Sequence, residues 1–279
     1  MKLVSSAKLR KAQNAIEAMR PYEEQLLGIL ASLQGGMAGR SSVMPGSDRA
    51  SAPKTIVAIA SNSSLCGGFN ANAIAKVRAI RRPGDTVYAI GRKMADAMRK
   101  EGFASPEDFS ALSEHPSYGP AAALVEKLVA DVEAGRTGAV VLVYNHFVST
   151  ARQEPVVEVL MQRSSEGEEP LSSTSLRDPV RANVPERGSS PSSSRIQPLI
   201  EPTREALLEA LVPKTRKLKL YAALLDSAAA EHAARTVAMQ TATDNAENLL
   251  SELTLQYNKG RQQKITSEIL DLAGGQAEN

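Results

Sequence analysis

Ten residues near the C-terminus, Leu225, Ala229, His232, Thr236, Met239, Thr243, Ala246, Leu250, Leu253 and Tyr257, follow one another at spacings of 4, 3, 4, 3, 4, 3, 4, 3 and 4. Alternating threes and fours mark a helix that lies along another helix. Between Pro213 and Gly274 the chain has no proline, and its one glycine is Gly260. At ~1.5 Å per residue, such a helix is on the order of 85 Å long. No single domain of a 279-residue chain can enclose that length, so the helix must project.

The other end of the chain carries a matching pattern. Ala12, Ala15, Met19, Tyr22, Leu26, Ile29 and Leu33 are spaced 3, 4, 3, 4, 3 and 4 in a stretch rich in Ala, Leu, Lys, Glu and Gln. Those residues favour helix, and Pro21 should bend or loosen it. The two terminal helices, residues 1–34 and 201–279, are expected to pair as a long antiparallel coiled coil, giving a stalk. Composition agrees. The chain has no Trp and only 4% aromatic residues, so it lacks the bulky side chains that usually fill a large globular core. Thr236, Thr243 and the alanines make the seam thin and smooth, which suits a shaft inside a larger assembly better than a self-sufficient zipper.

Between the stalk segments the period changes. Residues 54–162 alternate short β-branched runs (Thr55–Ala60, Thr86–Ile90, Ala139–Tyr144) with helical ones (Asn70–Ile80, Arg92–Lys100, Ala121–Ala134), and Val148–Met161 follows as a turn and a hairpin strand. This rhythm predicts a small, mostly parallel α/β domain. Residues 164–200 hold ten Ser and five Pro and read as a flexible insertion. The fold class is therefore α/β, with long terminal helices.

Several patterns could carry chemistry. Ser64–Asn70 follows a strand and opens a helix, where a phosphate loop would sit. It lacks the Walker spacing and its lysine, so a structural turn is the better reading. The lone Cys66 has no obvious base among His115, His146 and His232, and reads as a buried structural residue. A single cysteine also excludes an internal disulfide framework and a cysteine-built zinc site. No His and carboxylate cluster has ligand spacing, and no cofactor is expected. His232 on the seam reads as a polar register residue. With 33 basic and 31 acidic residues, the net charge of +2 argues against a nucleic-acid binder. No run reaches the roughly 18 apolar residues of a membrane helix, and the first residues are not a secretory signal. Cations gather in Lys2–Arg20 and again in Lys214, Arg216, Lys217 and Lys219, either as solvated helix surface or as a collar for acidic loops or lipid head groups.

Met1–Gln13 (MKLVSSAKLRKAQ), the loop LCGGFN at Leu65–Asn70, EHAARTVAMQTATDNA at Glu231–Ala246 and LTLQYNKGRQQKIT at Leu253–Thr266 resemble the gamma subunit of F-type ATP synthases. The resemblance spans nearly the whole chain except the Ser/Pro insertion. It implies a non-catalytic rotor shaft that couples proton flow through the membrane c-ring to the catalytic sites of the beta subunits. The implied partners are the alpha and beta subunits, the epsilon subunit and the c-ring. The implied location is peripheral, on the cytoplasmic side of the bacterial inner membrane. By position, Arg261 and Gln262 match the family's polar pair near the top of the shaft that meets beta-subunit loops. Lys214, Lys217 and Tyr221 would lie toward the foot, near the c-ring. Family members usually carry twenty-odd residues before the segment matching Met1, and Asn62–Ser64 replaces an Asp-Arg-Gly run common among them. A nucleotide-binding α/β module and a coiled-coil scaffold are the alternatives.

Overall fold

A computed structural model of the chain describes residues 2–33, 53–103, 105–162 and 203–275. The insertion at 164–200 lies outside the described residues. Ten elements follow in order. They are α1 (Lys2–Leu33), β1 (Lys54–Ile59), α2 (Phe69–Ile80), β2 (Thr86–Ile90), α3 (Arg92–Lys100), α4 (Ser110–Glu114), α5 (Tyr118–Glu133), β3 (Ala139–Phe147), β4 (Gln153–Gln162) and α6 (Arg204–Gly275). The four strands form one mixed sheet in the order β2-β1-β3-β4. β1 is parallel to both β2 and β3, and β4 is antiparallel to β3.

The side-chain alternation along a strand places two cores on the two faces of the sheet. On one face Val57, Ile59, Tyr88, Ile90, Leu142 and Tyr144 pack against α5 and against Leu220, Ala223 and Leu224 of α6. On the other, Ile56, Ala58, Val87, Ala89 and Val143 pack against α2 and α3 through Ala73, Val77, Met94 and Met98. Both faces are covered, so β1 reads as a continuous apolar run rather than an alternating one. At the end of β2, Gly91 has φ +102, and a Cβ there would lie 2.1 Å from the Ala60 carbonyl oxygen. Only glycine fits that crossing.

α6 runs for 72 residues, roughly 108 Å at 1.5 Å per residue, and passes through Pro213 without ending. α1 lies along it. Lys8 is beside Glu231 and His232, whereas Glu23 is beside Lys219 and Asp226, so the two helices are antiparallel. The inward side of α1 differs from the expected one. Ser5, Leu9, Leu26, Leu30 and Leu33 are buried, and Ala12, Ile16, Met19 and Glu23 are half-buried. That row is spaced 4, 3, 4, 3, 4, 3, 4, 3. It keeps Ala12, Met19, Leu26 and Leu33 of the expected seam, with Ala15 half-buried beside Ile16, but takes Glu23 and Leu30 in place of Tyr22 and Ile29. Tyr22 and Ile29 are 56% and 45% exposed. A heptad seam can use either neighbour of each shared position, and the second set is the one that faces α6 here.

On α6, Leu225 and Ala229 are buried, and His232, Thr236 and Met239 are half-buried. From Thr241 to Leu270 every residue is exposed. Leu250, Leu253 and Tyr257 are 69%, 54% and 70% exposed, so this upper part of the expected seam has no partner within the described chain.

Candidate functional site

In a doubly wound sheet the crevice for a ligand opens at the carboxyl ends of the strands, where the strand order switches direction. Here that point lies between β1 and β3, bounded by the Ser61–Gly68 loop and by His146 and Phe147 at the end of β3. α6 fills it. Cys66 and Phe69 pack on Ala230 and Ala234, with Phe147 against them, while Leu9 of α1 closes on Ala229 and Ala233 from the other side. An idealised Cβ on Gly67 would be 3.9 Å from Ala238. The alanine run of α6 is where the helix is enclosed on several sides at once, and small side chains permit that approach.

The loop is satisfied from within. The Asn70 amide nitrogen donates to Ser61 Oγ at 2.8 Å and to Cys66 Sγ at 3.1 Å, and the Asn70 side-chain oxygen accepts from the Ser61 backbone N–H at 3.0 Å. Asn145 Nδ2 donates to the Phe69 carbonyl at 3.0 Å. Leu65 and Gly67 have φ of +67 and +57, the left-handed geometry of a tight turn. Cys66 is 1% exposed. The loop therefore serves as a seat for α6, with its side-chain donors turned onto its own turn.

Polar contacts bracket this apolar seat. Asp226 on α6 holds the end of β3 with both carboxylate oxygens. Its Oδ1 accepts the Phe147 backbone N–H at 3.0 Å and its Oδ2 lies 2.5 Å from His146 Nδ1. The hydrogen bond to Asp226 raises the His146 pKa against an opposing effect of burial. Further along α6, Arg235 donates to Ser63 Oγ at 2.8 Å and pairs with Glu231 at 2.7 Å. Burial raises the Glu231 pKa, opposed by the Arg235 charge. Next to it His232 is pushed down to about 4, first by burial and then by Arg235 and Lys8, and its Nδ1 is buried with no hydrogen-bond partner among the described residues. Asp226 and its grip on β3 escape sequence reading because 80 residues separate it from His146.

The other expected site residues are dispersed. Lys217 pairs with Glu126 of α5 at 2.5 Å, and Lys219 with Glu158 of β4 at 3.4 Å. Tyr221 meets Tyr118 edge to face with ring centres 6.0 Å apart. Of the basic run only Lys214 is fully exposed, so much of that collar ties α6 to the α/β unit. Arg261 and Gln262 stand on the bare part of α6, beside shallow hollows lined by Leu250, Thr254, Leu255 and Asn258 and by Gln263, Thr266 and Leu270. Among the described residues no group of His, Cys, Asp and Glu could hold a metal ion, and no helix is long and apolar enough to cross a membrane.

Comparison with known proteins agrees with this geometry. The family model described as ATP synthase matches residues 1–277. The ATP synthase gamma chain of Phocaeicola vulgatus is 41% identical over 99% of this chain and 91% of its own length, and that of Flavobacterium johnsoniae is 36% identical over 99% and 90%. A chain of the Euglena gracilis mitochondrial ATP synthase shares the fold with a TM-score of 0.58 at 18% identity, covering 98% of this chain and 94% of its own. A chain of the central stalk and c-ring of the Tetrahymena thermophila mitochondrial enzyme gives 0.57 at 18% identity, covering 87% and 97%. A chain whose own long helix occupies its sheet's ligand crevice, and which matches these relatives almost end to end, belongs to the ATP synthase gamma-chain family.

Proposed function

We propose that the chain is the central rotor shaft of a proton-translocating ATP synthase, coupling rotation of a membrane c-ring to successive conformational changes at the catalytic sites of the beta subunits. The observation that carries this reading is α6, which leaves residues 241–270 exposed on every side. In proteins, most of the stability of a helix comes from packing its apolar face rather than from intrinsic propensity. The stripe of Leu249, Leu250, Leu253 and Tyr257 on this stretch, with Leu255 on the opposite side, needs a surrounding surface, and a ring of alpha and beta subunits supplies one.

The chain divides by role. Residues 1–34 and 201–279 form the shaft as an antiparallel coiled coil, residues 54–162 form the α/β unit beside it, and residues 164–200 are an insertion. Arg261 and Gln262 meet loops of the beta subunits, and Lys214, Lys217 and Tyr221 lie toward the foot, near the c-ring and the epsilon subunit. The shaft makes and breaks no phosphoanhydride bond. It acts through its asymmetry, because each orientation presents a different side to each beta subunit and so biases that subunit's equilibrium between conformations. The chain reaches the cytoplasmic face of the bacterial inner membrane as a peripheral part of this complex. Against the alternative of a nucleotide module stands the crevice at the switch point, which α6 occupies.

Reconstitution with alpha and beta subunits tests the proposal. The expected result is a one-to-one complex with the hexamer and stimulated ATP hydrolysis, while the chain alone hydrolyses nothing. Absence of association, or saturable nucleotide binding by the chain itself, would overturn it.

A further inference from the structure

The alanine contacts that seat α6 are apolar and non-directional, so by themselves they fix neither the roll nor the slide of the helix. Direction comes from polar contacts: Lys217 with Glu126 and Lys219 with Glu158 lower on α6, and the contacts at the two ends of the seat itself. Asp226 uses both carboxylate oxygens on consecutive residues of one strand end, His146 and Phe147. Nine residues on, Arg235 reaches Ser63 in the loop after β1. Nine residues are about two and a half turns, so these anchors leave α6 about 180° apart around its axis and about 13 Å apart along it. Anchors on opposite sides of a rod resist both rolling and tilting, which one anchor cannot do.

We propose that Asp226 is a positioning residue that fixes the angular setting of the α/β unit on α6, with the Arg235–Ser63 contact as its counterpart. The consequence for rotary coupling rests on the rotor-shaft reading, whereas the grip itself does not. A torque applied to the α/β unit passes into α6 through these anchors, and a loosened seat dissipates it as local twist.

The grip carries a pH signature that plain packing would lack. The charged groups acting on His146 are Asp226 on α6, Arg20 on α1 and Glu158 on β4; Glu23 on α1 and Tyr144 on β3 share Asp226 and Glu158 with it, and Lys219 faces Glu23. His146 has a raised pKa, so its charged pairing with Asp226 is fully present below the ordinary value of 6.5 and is lost as pH rises through the raised one. Glu23, raised chiefly by burial, shifts in the same direction, and Glu23→Gln separates the two.

The direct readout is amide-exchange protection at Phe147 in the full-length chain, corrected for intrinsic rate, from pH 6 to 9. In the wild type, protection is expected to fall as pH rises, and the step should survive Glu23→Gln. Asp226→Ala should lower protection about tenfold or more at pH 6, the loss expected for a part-buried hydrogen bond to a charged acceptor. His146→Gln, which leaves the Phe147 bond in place and keeps the variant folded, should abolish the step while retaining much of the protection. In the assembled complex in vesicles, Asp226→Ala should lower proton transport per ATP hydrolysed, and Asp226→Glu should restore part of it. Wild-type protection and pH profile in both Asp226→Ala and His146→Gln would overturn the grip. Reduced protection with an unchanged transport ratio would overturn its role in coupling. Failure of the wild-type chain to assemble with alpha and beta subunits would sink the rotor reading instead, and the exchange measurement would still decide the grip.

Discussion

Gly91 shows how a single atom can hold two strands in place. Its φ of +102 and the 2.1 Å approach to the Ala60 carbonyl leave no space for a methyl group, so Gly91→Ala should cost about 2–4 kcal/mol and lower the melting temperature measurably. His232 illustrates electrostatics at the same scale. Its pKa is depressed to about 4, so its neutral form contributes stability that is present above 6.5 and lost as pH falls toward 4. Glu231, with a raised pKa, acts in the opposite sense, favouring the folded chain as it protonates. His232→Gln should therefore flatten the acid side of the stability profile relative to wild type, as measured by thermal melts between pH 7 and 4. The sequence identified His232 as a polar group within the helix pair. It could not show the burial that chiefly holds His232 neutral, nor Lys8, which comes from the other end of the chain.

At the scale of elements, period was a good guide to type and a poor one to facing. The strands and the larger helices follow their hydrophobic pattern closely. α5 starts at Tyr118, earlier than expected, with Pro120 in its first turn, where a missing amide donor costs little. α4, five residues long, is too short to show a period. In α1 the seam reading slid by one residue because Glu23 interrupts the true row, while Tyr22 beside it looks apolar. Leu30→Ala should therefore cost about 2–4 kcal/mol. Tyr22→Ala should change the stability of the isolated chain by no more than about 0.5 kcal/mol, and paired denaturant titrations check both. Equal effects would restore the register read from sequence.

Taken whole, the molecule is a folded body with a long helix extending from it. Below residue 240, α6 is held by α1 and the sheet. Above it, residues 241–270 are exposed throughout and bury no core. Amides there should exchange far faster in the isolated chain than those of residues 218–234, and should become protected when alpha and beta subunits assemble around them. Slow exchange in the isolated chain would mean that this stretch is already covered, for instance by a second copy.

The long C-terminal helix was legible in the sequence, because helix period, length and freedom from proline are local properties that survive without knowledge of any neighbour. The sequence determined the α/β rhythm for the same reason, and the tight turn at Gly67 from residue type alone. Folding in three dimensions was needed to set which side of α1 faces inward, to bring α6 into the crevice between β1 and β3, and to close Asp226 on the end of β3. Each of these depends on groups tens to hundreds of residues apart, and their pairing is set by where the sheet, the loop and two helices can pack at once.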